Sequence, residues 1–126
     1  MKTQLNSTNA PKALGPYSQG IKCCNMIFCS GQIPLCSKTG ELETNIAKAT
    51  KLVLQNMSAV LKEGGATFND VVKTTVFLKD LEDFAEMNKV YETFFTAPYP
   101  ARSTIEVARL PKDSVVEIEC IACVNA

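Results

Sequence analysis

Residues 115–124 read Val-Val-Glu-Ile-Glu-Cys-Ile-Ala-Cys-Val, and this alternation restricts the fold more than any other stretch of the chain. Successive side chains on a strand point to opposite faces. Val116, Ile118, Cys120, Ala122 and Val124 then share one wholly apolar face. The other face carries Val115, Glu117, Glu119, Ile121 and Cys123. The first face needs a hydrophobic layer over it. The second mixes carboxylates with too much apolar surface for a sheet face left in water, and it predicts contact with another subunit.

Two helical segments can supply the layer. Residues 44–63 place Ile46, Ala49, Val53, Met57, Val60 and Leu61 at three- and four-residue spacing, with Thr44 as a cap and Gly64-Gly65 as a stop. A second helix is expected over 84–95, with Phe84, Met87, Tyr91 and Phe94 as its apolar stripe. Asp83 and Glu86 have the spacing of a capping box. Ala97-Pro98-Tyr99-Pro100 ends this segment.

Strands are expected at 17–22 and 26–30, joined as a hairpin through Asn25, then at 71–79, 102–108 and 115–124. Gly31-Gln32-Ile33-Pro34 breaks the second strand or leads it into a loop. The order β-β-α-β-α-β-β, with two helices on one face of a mixed sheet, is an α+β fold. No repeat, low-complexity stretch or linker divides residues 1–126, so one domain is expected.

The composition excludes several functions. There is no His among 126 residues, which removes Ser-His-Asp and Cys-His catalysis and imidazole proton shuttles. Thirteen Lys plus Arg balance thirteen Asp plus Glu, so the chain lacks the cationic footprint of a nucleic-acid binder. No apolar run reaches membrane-span length. The polar start, residues 1–11, does not read as a secretory signal, and a cytoplasmic location is expected.

Six cysteines, at 23, 24, 29, 36, 120 and 123, are expected to be reduced and packed, because the chain reads as cytosolic. Cys120-x-x-Cys123 has the spacing of a metal or redox pair. On a strand, however, residues three apart face opposite ways, so this pair is not expected to chelate a metal.

Several segments together resemble the Rid (YjgF) family of reactive-intermediate deaminases, in its RidA subgroup. Near the start they are Ala10-Pro11, Gly15-Pro16-Tyr17-Ser18-Gln19, Ser30-Gly31-Gln32-Ile33-Pro34 and Thr39-Gly40-Glu41. Val72-Lys73-Thr74-Thr75-Val76-Phe77-Leu78, Asp83-Phe84 and Asn88-Lys89-Val90-Tyr91 follow, with Phe95. Pro100-Ala101-Arg102-Ser103-Thr104, Val107-Ala108-Arg109-Leu110-Pro111 and Glu117-Ile118-Glu119 complete the set.

The resemblance implies a chorismate-mutase-like fold and a homotrimer with sheets facing inward and three clefts between subunits. It implies hydrolysis of 2-enamines and 2-imines, such as 2-aminoacrylate from pyridoxal-phosphate enzymes, to 2-keto acids and ammonia. It implies small-molecule 2-imino and 2-keto acid ligands and no cofactor. Arg102 would clamp the substrate carboxylate through its planar fork. Glu117 would orient water and handle protons, with Glu119 on the same face as its competitor. Tyr17, Ser30, Gly31, Phe84 and Asn88 would line the cleft. Thr104 stands where close bacterial relatives carry Cys, a change expected to alter pocket size or specificity. Cys36 likewise replaces a usual Asp or Asn. The rival readings are a 2-keto-acid-binding sensor, an endoribonuclease or translation inhibitor, and a structural trimer.

Overall fold

The computed structural model describes residues 1–125. Six strands form one sheet: β1 Lys2–Leu5, β2 Gly20–Cys23, β3 Met26–Gln32, β4 Val71–Leu78, β5 Ala101–Glu106 and β6 Val116–Cys123. Their order is β1-β2-β3-β6-β4-β5. The β4–β5 pair is parallel, and the other neighbours are antiparallel. Helix α1, Ile46–Glu63, links β3 to β4, and helix α2, Phe84–Tyr91, lies in the crossover that a parallel pair requires.

The apolar face of β6 lies in the core. Val116, Ile118, Cys120 and Ala122 are buried beside Ile27 and Cys29 of β3 and Val76 and Leu78 of β4. Val53, Leu54, Met57, Val60 and Leu61 of α1 and Met87 of α2 cover them. Cys29 and Cys120 are direct cross-strand partners on this inner face. The hydrogen bond with Cys29 and then burial push the Cys120 thiol far up, so it stays neutral. Cys123 turns to the other face, as the alternation requires, and all six cysteines are free thiols.

Both helices differ in detail from the sequence expectation. The cap of α1 is Asn45, whose side chain accepts from the Lys48 N–H at 3.0 Å, rather than Thr44. At the other end, Gly65 has φ +80° and the Ala66 N–H reaches the Leu61 carbonyl at 3.0 Å. That left-handed turn suits glycine alone. Helix α2 stops at Tyr91, four residues short of the expected end. Phe94 and Phe95 leave the helix to join an aromatic cluster. Phe95 stacks on Tyr91 at 4.4 Å, and Phe68 meets both Phe94 and Phe95 edge-on. Asp83 makes no side-chain cap, because it already belongs to the short turn Leu81–Asp83 and lacks the extended backbone of a cap. The chain's capping box is instead formed by Thr67 and Asp70.

Three strand expectations also change. β1 was not foreseen. Its Lys-Thr-Gln-Leu sequence lacks an apolar alternation, as suits an edge strand. β2 starts at Gly20, so Tyr17, Ser18 and Gln19 precede the ladder. The buried Gln19 amide organises that segment. It accepts from the Ser7 N–H at 2.7 Å and donates to the carbonyls of Ser7 and Pro11 at 3.1 and 2.8 Å. β5 ends at Glu106 rather than at 108. No helix among the described residues is long and apolar enough to cross a membrane.

Candidate active site

Arg102 and Glu117 lie on opposite faces of the sheet. Arg102 pairs with Thr74, and Thr74 pairs with Cys120, so all three point to the helix side. Glu117 pairs with Phe77, and Phe77 pairs with Ile105, so these share the outer face. Each residue lines its own cavity, and the fold of one chain does not bring the two together.

The Arg102 half-site is a cavity of about 330 Å³ lined by Asn88, Tyr91, Glu92, Tyr99, Pro100 and Arg102. β5 holds the arginine at the sheet edge, and α2 crosses beside it. The Arg102 Nη1 donates to the Asn88 Oδ1 at 2.8 Å. Its guanidinium carbon lies 4.8 Å from the Tyr91 ring centroid and 5.6 Å from that of Phe84. Aromatic faces and one amide therefore fix the guanidinium while its remaining edge is available to a ligand. Thr104 lies two residues along the same face, and its Oγ1 is buried without a partner among the described residues.

The Tyr91 hydroxyl shares a hydrogen bond with Thr74 Oγ1 at 2.7 Å under this floor. Thr74 is fully buried. Burial raises the Tyr91 pKa, against the lowering effects of Thr74 and Arg102. Tyr91→Phe strands the Thr74 hydroxyl and is expected to destabilise the fold by about 1–3 kcal/mol. Urea unfolding measures this loss, and an unchanged midpoint would mean that Thr74 finds another partner.

The Glu117 half-site is a cavity of about 440 Å³ lined by Leu14, Tyr17, Ser30, Gly31, Ile33, Pro111, Glu117 and Glu119. A bulge in β3 shapes it. Cys29 pairs with Cys120 and Gln32 with Ile118, so Ser30 and Gly31 together oppose Glu119. The strand expected to break at Gly31 thus continues to Gln32. A Cβ at residue 31 would overlap Glu117 Oε2 and come within 2.8 Å of its Cδ, so only glycine leaves the carboxylate room. Ser30 Oγ donates to the Ser18 carbonyl at 2.6 Å, and the Ser30 N–H donates to the Gln19 carbonyl at 2.9 Å. Tyr17 is about half exposed, and its hydroxyl accepts from the Leu14 N–H at 3.3 Å. Burial first, and the Glu119 charge second, raise the Glu117 pKa.

The sequence-derived residues therefore divide into two groups. Arg102 and Asn88 line one half-site, with Phe84 beside the guanidinium and Thr104 farther along the same face of β5, and Tyr17, Ser30, Gly31 and Glu117 line the other. Tyr91 was read as part of the α2 stripe and of a family segment, and Tyr99 as part of a helix stop, neither with a role in the site. Tyr91 lies three residues after Asn88, and that helical spacing already placed it on the same face. Glu92 was not singled out.

The Endoribonuclease L-PSP family model matches residues 7–124, spanning both half-sites. This chain belongs to that family. Its members include the Rid (YjgF) proteins that the sequence resembles. The chain is 51% identical to the 2-iminobutanoate/2-iminopropanoate deaminase of Escherichia coli, over 97% of this chain and 98% of the relative. It is 52% identical to a RutC family protein of Pyrococcus abyssi, over 96% of each. Among solved structures, E. coli TdcF with bound serine superposes with a TM-score of 0.94 at 44% identity, over 98% of this chain and 99% of that one.

Proposed function

We propose that this protein hydrolyses reactive 2-enamine and 2-imine acids to 2-keto acids and ammonia, in clefts formed between copies of the chain. The separation of Arg102 from Glu117 within one chain carries the cleft. One copy supplies the Arg102 half-site and a neighbour supplies the Glu117 half-site. A 51% identical relative over nearly the whole length is a 2-iminobutanoate/2-iminopropanoate deaminase, which supports the activity.

The chemistry needs few groups. An enamine such as 2-aminoacrylate tautomerises to its imine. The substrate carboxylate takes the fork of Arg102, a charged hydrogen bond worth about 1.5–3 kcal/mol. Water adds its oxygen to the imine carbon while the nitrogen gains a proton. The resulting carbinolamine collapses to a carbonyl, the C–N bond breaks and ammonia leaves. Glu117 is the group that takes a proton from the water and returns one to the nitrogen. Its raised pKa brings that exchange closer to neutral pH than an ordinary carboxylate allows. Arg102 and Glu117 are thus the catalytic pair. Tyr17, Ser30, Gly31, Phe84, Asn88 and Thr104 shape and brace the cleft.

The outer sheet face supports the assembly. Phe28 and Ile105 are 45% and 47% exposed on it, beside the half-buried Phe77 and Ile121. A homotrimer with these faces turned inward and three clefts covers this surface. The chorismate-mutase-like arrangement belongs to the same reading, as does a cytoplasmic location beside the enzymes that release such imines.

The family's description points toward RNA cleavage, which this chain's residues do not favour. The Glu117 half-site presents two carboxylates and no cation among its lining residues, and the chain has zero net charge and no His. A keto-acid sensor would use Arg102 but has no use for a partly buried carboxylate of raised pKa.

The direct test generates 2-aminoacrylate from serine with a dehydratase and follows pyruvate release. The expected result is an excess rate that scales with protein and exceeds spontaneous decay. No excess, with keto acids still protecting the protein against heat, would make it a sensor. Gly31→Ala pushes the Glu117 carboxylate aside and is expected to lower kcat by about 10- to 100-fold while the chain stays folded. An unchanged kcat in that variant would remove Glu117 from the reaction.

A further inference from the structure

The Arg102 cavity holds a second charge that carbonyl chemistry does not use. Glu92 lines the same cavity. It caps the C-terminus of α2, where the helix dipole disfavours an anion and a cation would be the stabilising choice. Among the described residues its carboxylate forms no ion pair. The ion pair found among the described residues is Arg109–Asp113, elsewhere on the surface, and Arg102 spends its hydrogen bond on Asn88. Lys89, one turn back, forms no ion pair with it either. The cavity thus presents a cation held by Asn88 and the carboxylate of an exposed Glu92, with no ion pair between them, on a floor that includes Tyr91 and Tyr99.

We infer that Glu92 sets the charge preference of the site, admitting monocarboxylate substrates and rejecting those with a second carboxylate. This rests on the proposed function in placing the substrate carboxylate at Arg102. With that group clamped and the imine carbon turned to the neighbouring copy's Glu117, the side chain of a small 2-imino acid is left to the cavity that Glu92 lines. A second carboxylate there meets a like charge on the wall of the same cavity. Neutral side chains meet no such repulsion, and cationic ones are attracted.

The test compares binding of two product-like acids, 2-oxobutanoate and 2-oxoglutarate, by calorimetry. They share the 2-oxo acid head, and only the second has another carboxylate. The wild type is expected to bind 2-oxobutanoate more tightly. In Glu92→Gln the ratio of the two dissociation constants is expected to shrink by about tenfold. Glu92→Asp keeps the charge and is expected to keep most of the discrimination. Added salt should narrow the ratio in the wild type and leave it nearly constant in Glu92→Gln. An unchanged ratio in Glu92→Gln would overturn the assignment. If Glu92→Gln fails to fold, the wild-type salt series and Glu92→Asp decide in its place: a salt-independent wild-type ratio, or a ratio lost in Glu92→Asp, overturns it. Failure of both acids to bind the wild type would overturn this inference together with the Arg102 clamp. A shifted ratio in a protein that hydrolyses no imine would leave Glu92 standing and remove the proposed activity alone.

Discussion

Arg102→Ala is expected to lower kcat/KM for 2-iminopropanoate by about 10- to 100-fold. The guanidinium is already fixed by Asn88 and by the Tyr91 and Phe84 rings, so little ordering is left to pay on binding. The clamp acts on a carboxylate that stays charged throughout the reaction. Its loss should therefore appear mainly in KM. Arg102→Lys keeps the charge and loses the fork, so it should fall between the two. The half-buried Arg102 opens on a cavity, and the groups it leaves behind reach solvent, so the variant should remain folded. Steady-state kinetics on imine generated in situ measures the effect. An unchanged KM would place the carboxylate elsewhere.

Glu117→Gln is expected to reduce kcat by about 10²–10⁴-fold while keto-acid binding persists. Glutamine keeps the shape that Gly31 accommodates and loses the proton exchange. The sign of the stability effect follows from the raised pKa. The folded chain holds the Glu117 proton more tightly than the unfolded chain does, so this contribution is full below the unfolded pKa and is lost as pH rises through the folded one. At neutral pH the glutamine variant should thus be at least as stable as the wild type, and its lost activity cannot be assigned to unfolding. Burial raises this pKa most, and Glu119 adds to it. Glu119→Gln should then move the Glu117 limb of the pH–rate profile to lower pH. A limb that does not move would mean that another group titrates there.

Much of this was legible in residues 115–124 and 44–63. Their periodicities placed the β6 face, the α1 stripe and the core between them without any tertiary information. The end of α2 was misread because Phe94 and Phe95 continue an apolar spacing that aromatic packing, not a helix, uses. β1 escaped because its pairing is made by backbone groups, which leave no pattern in Lys-Thr-Gln-Leu. The family motif singled out both catalytic candidates. Their separation was hidden because β5 and β6 are not neighbours, and β4 between them fixes the register of each. The alternation of residues 115–124 already turned residue 117 outward, and only the ladder shows that residue 102 faces inward. The bulge at Ser30–Gly31 was equally hidden, since a break and a bulge share the same residues in sequence. Glu92 lay outside any motif and became visible only as part of a cavity wall.

Mixing two impaired variants, assayed at substrate well below the wild-type KM, tests the shared cleft most directly. Arg102→Ala and Glu117→Gln chains are unfolded together, refolded at equal ratio and assayed for pyruvate release from 2-aminoacrylate. Each cleft made from two copies regains both groups when its arginine comes from the Glu117→Gln chain and its glutamate from the Arg102→Ala chain. Random assembly then restores about a quarter of the wild-type rate. A mixture no more active than its two parents would show that Arg102 and Glu117 do not meet across copies, and would contradict the assembled site.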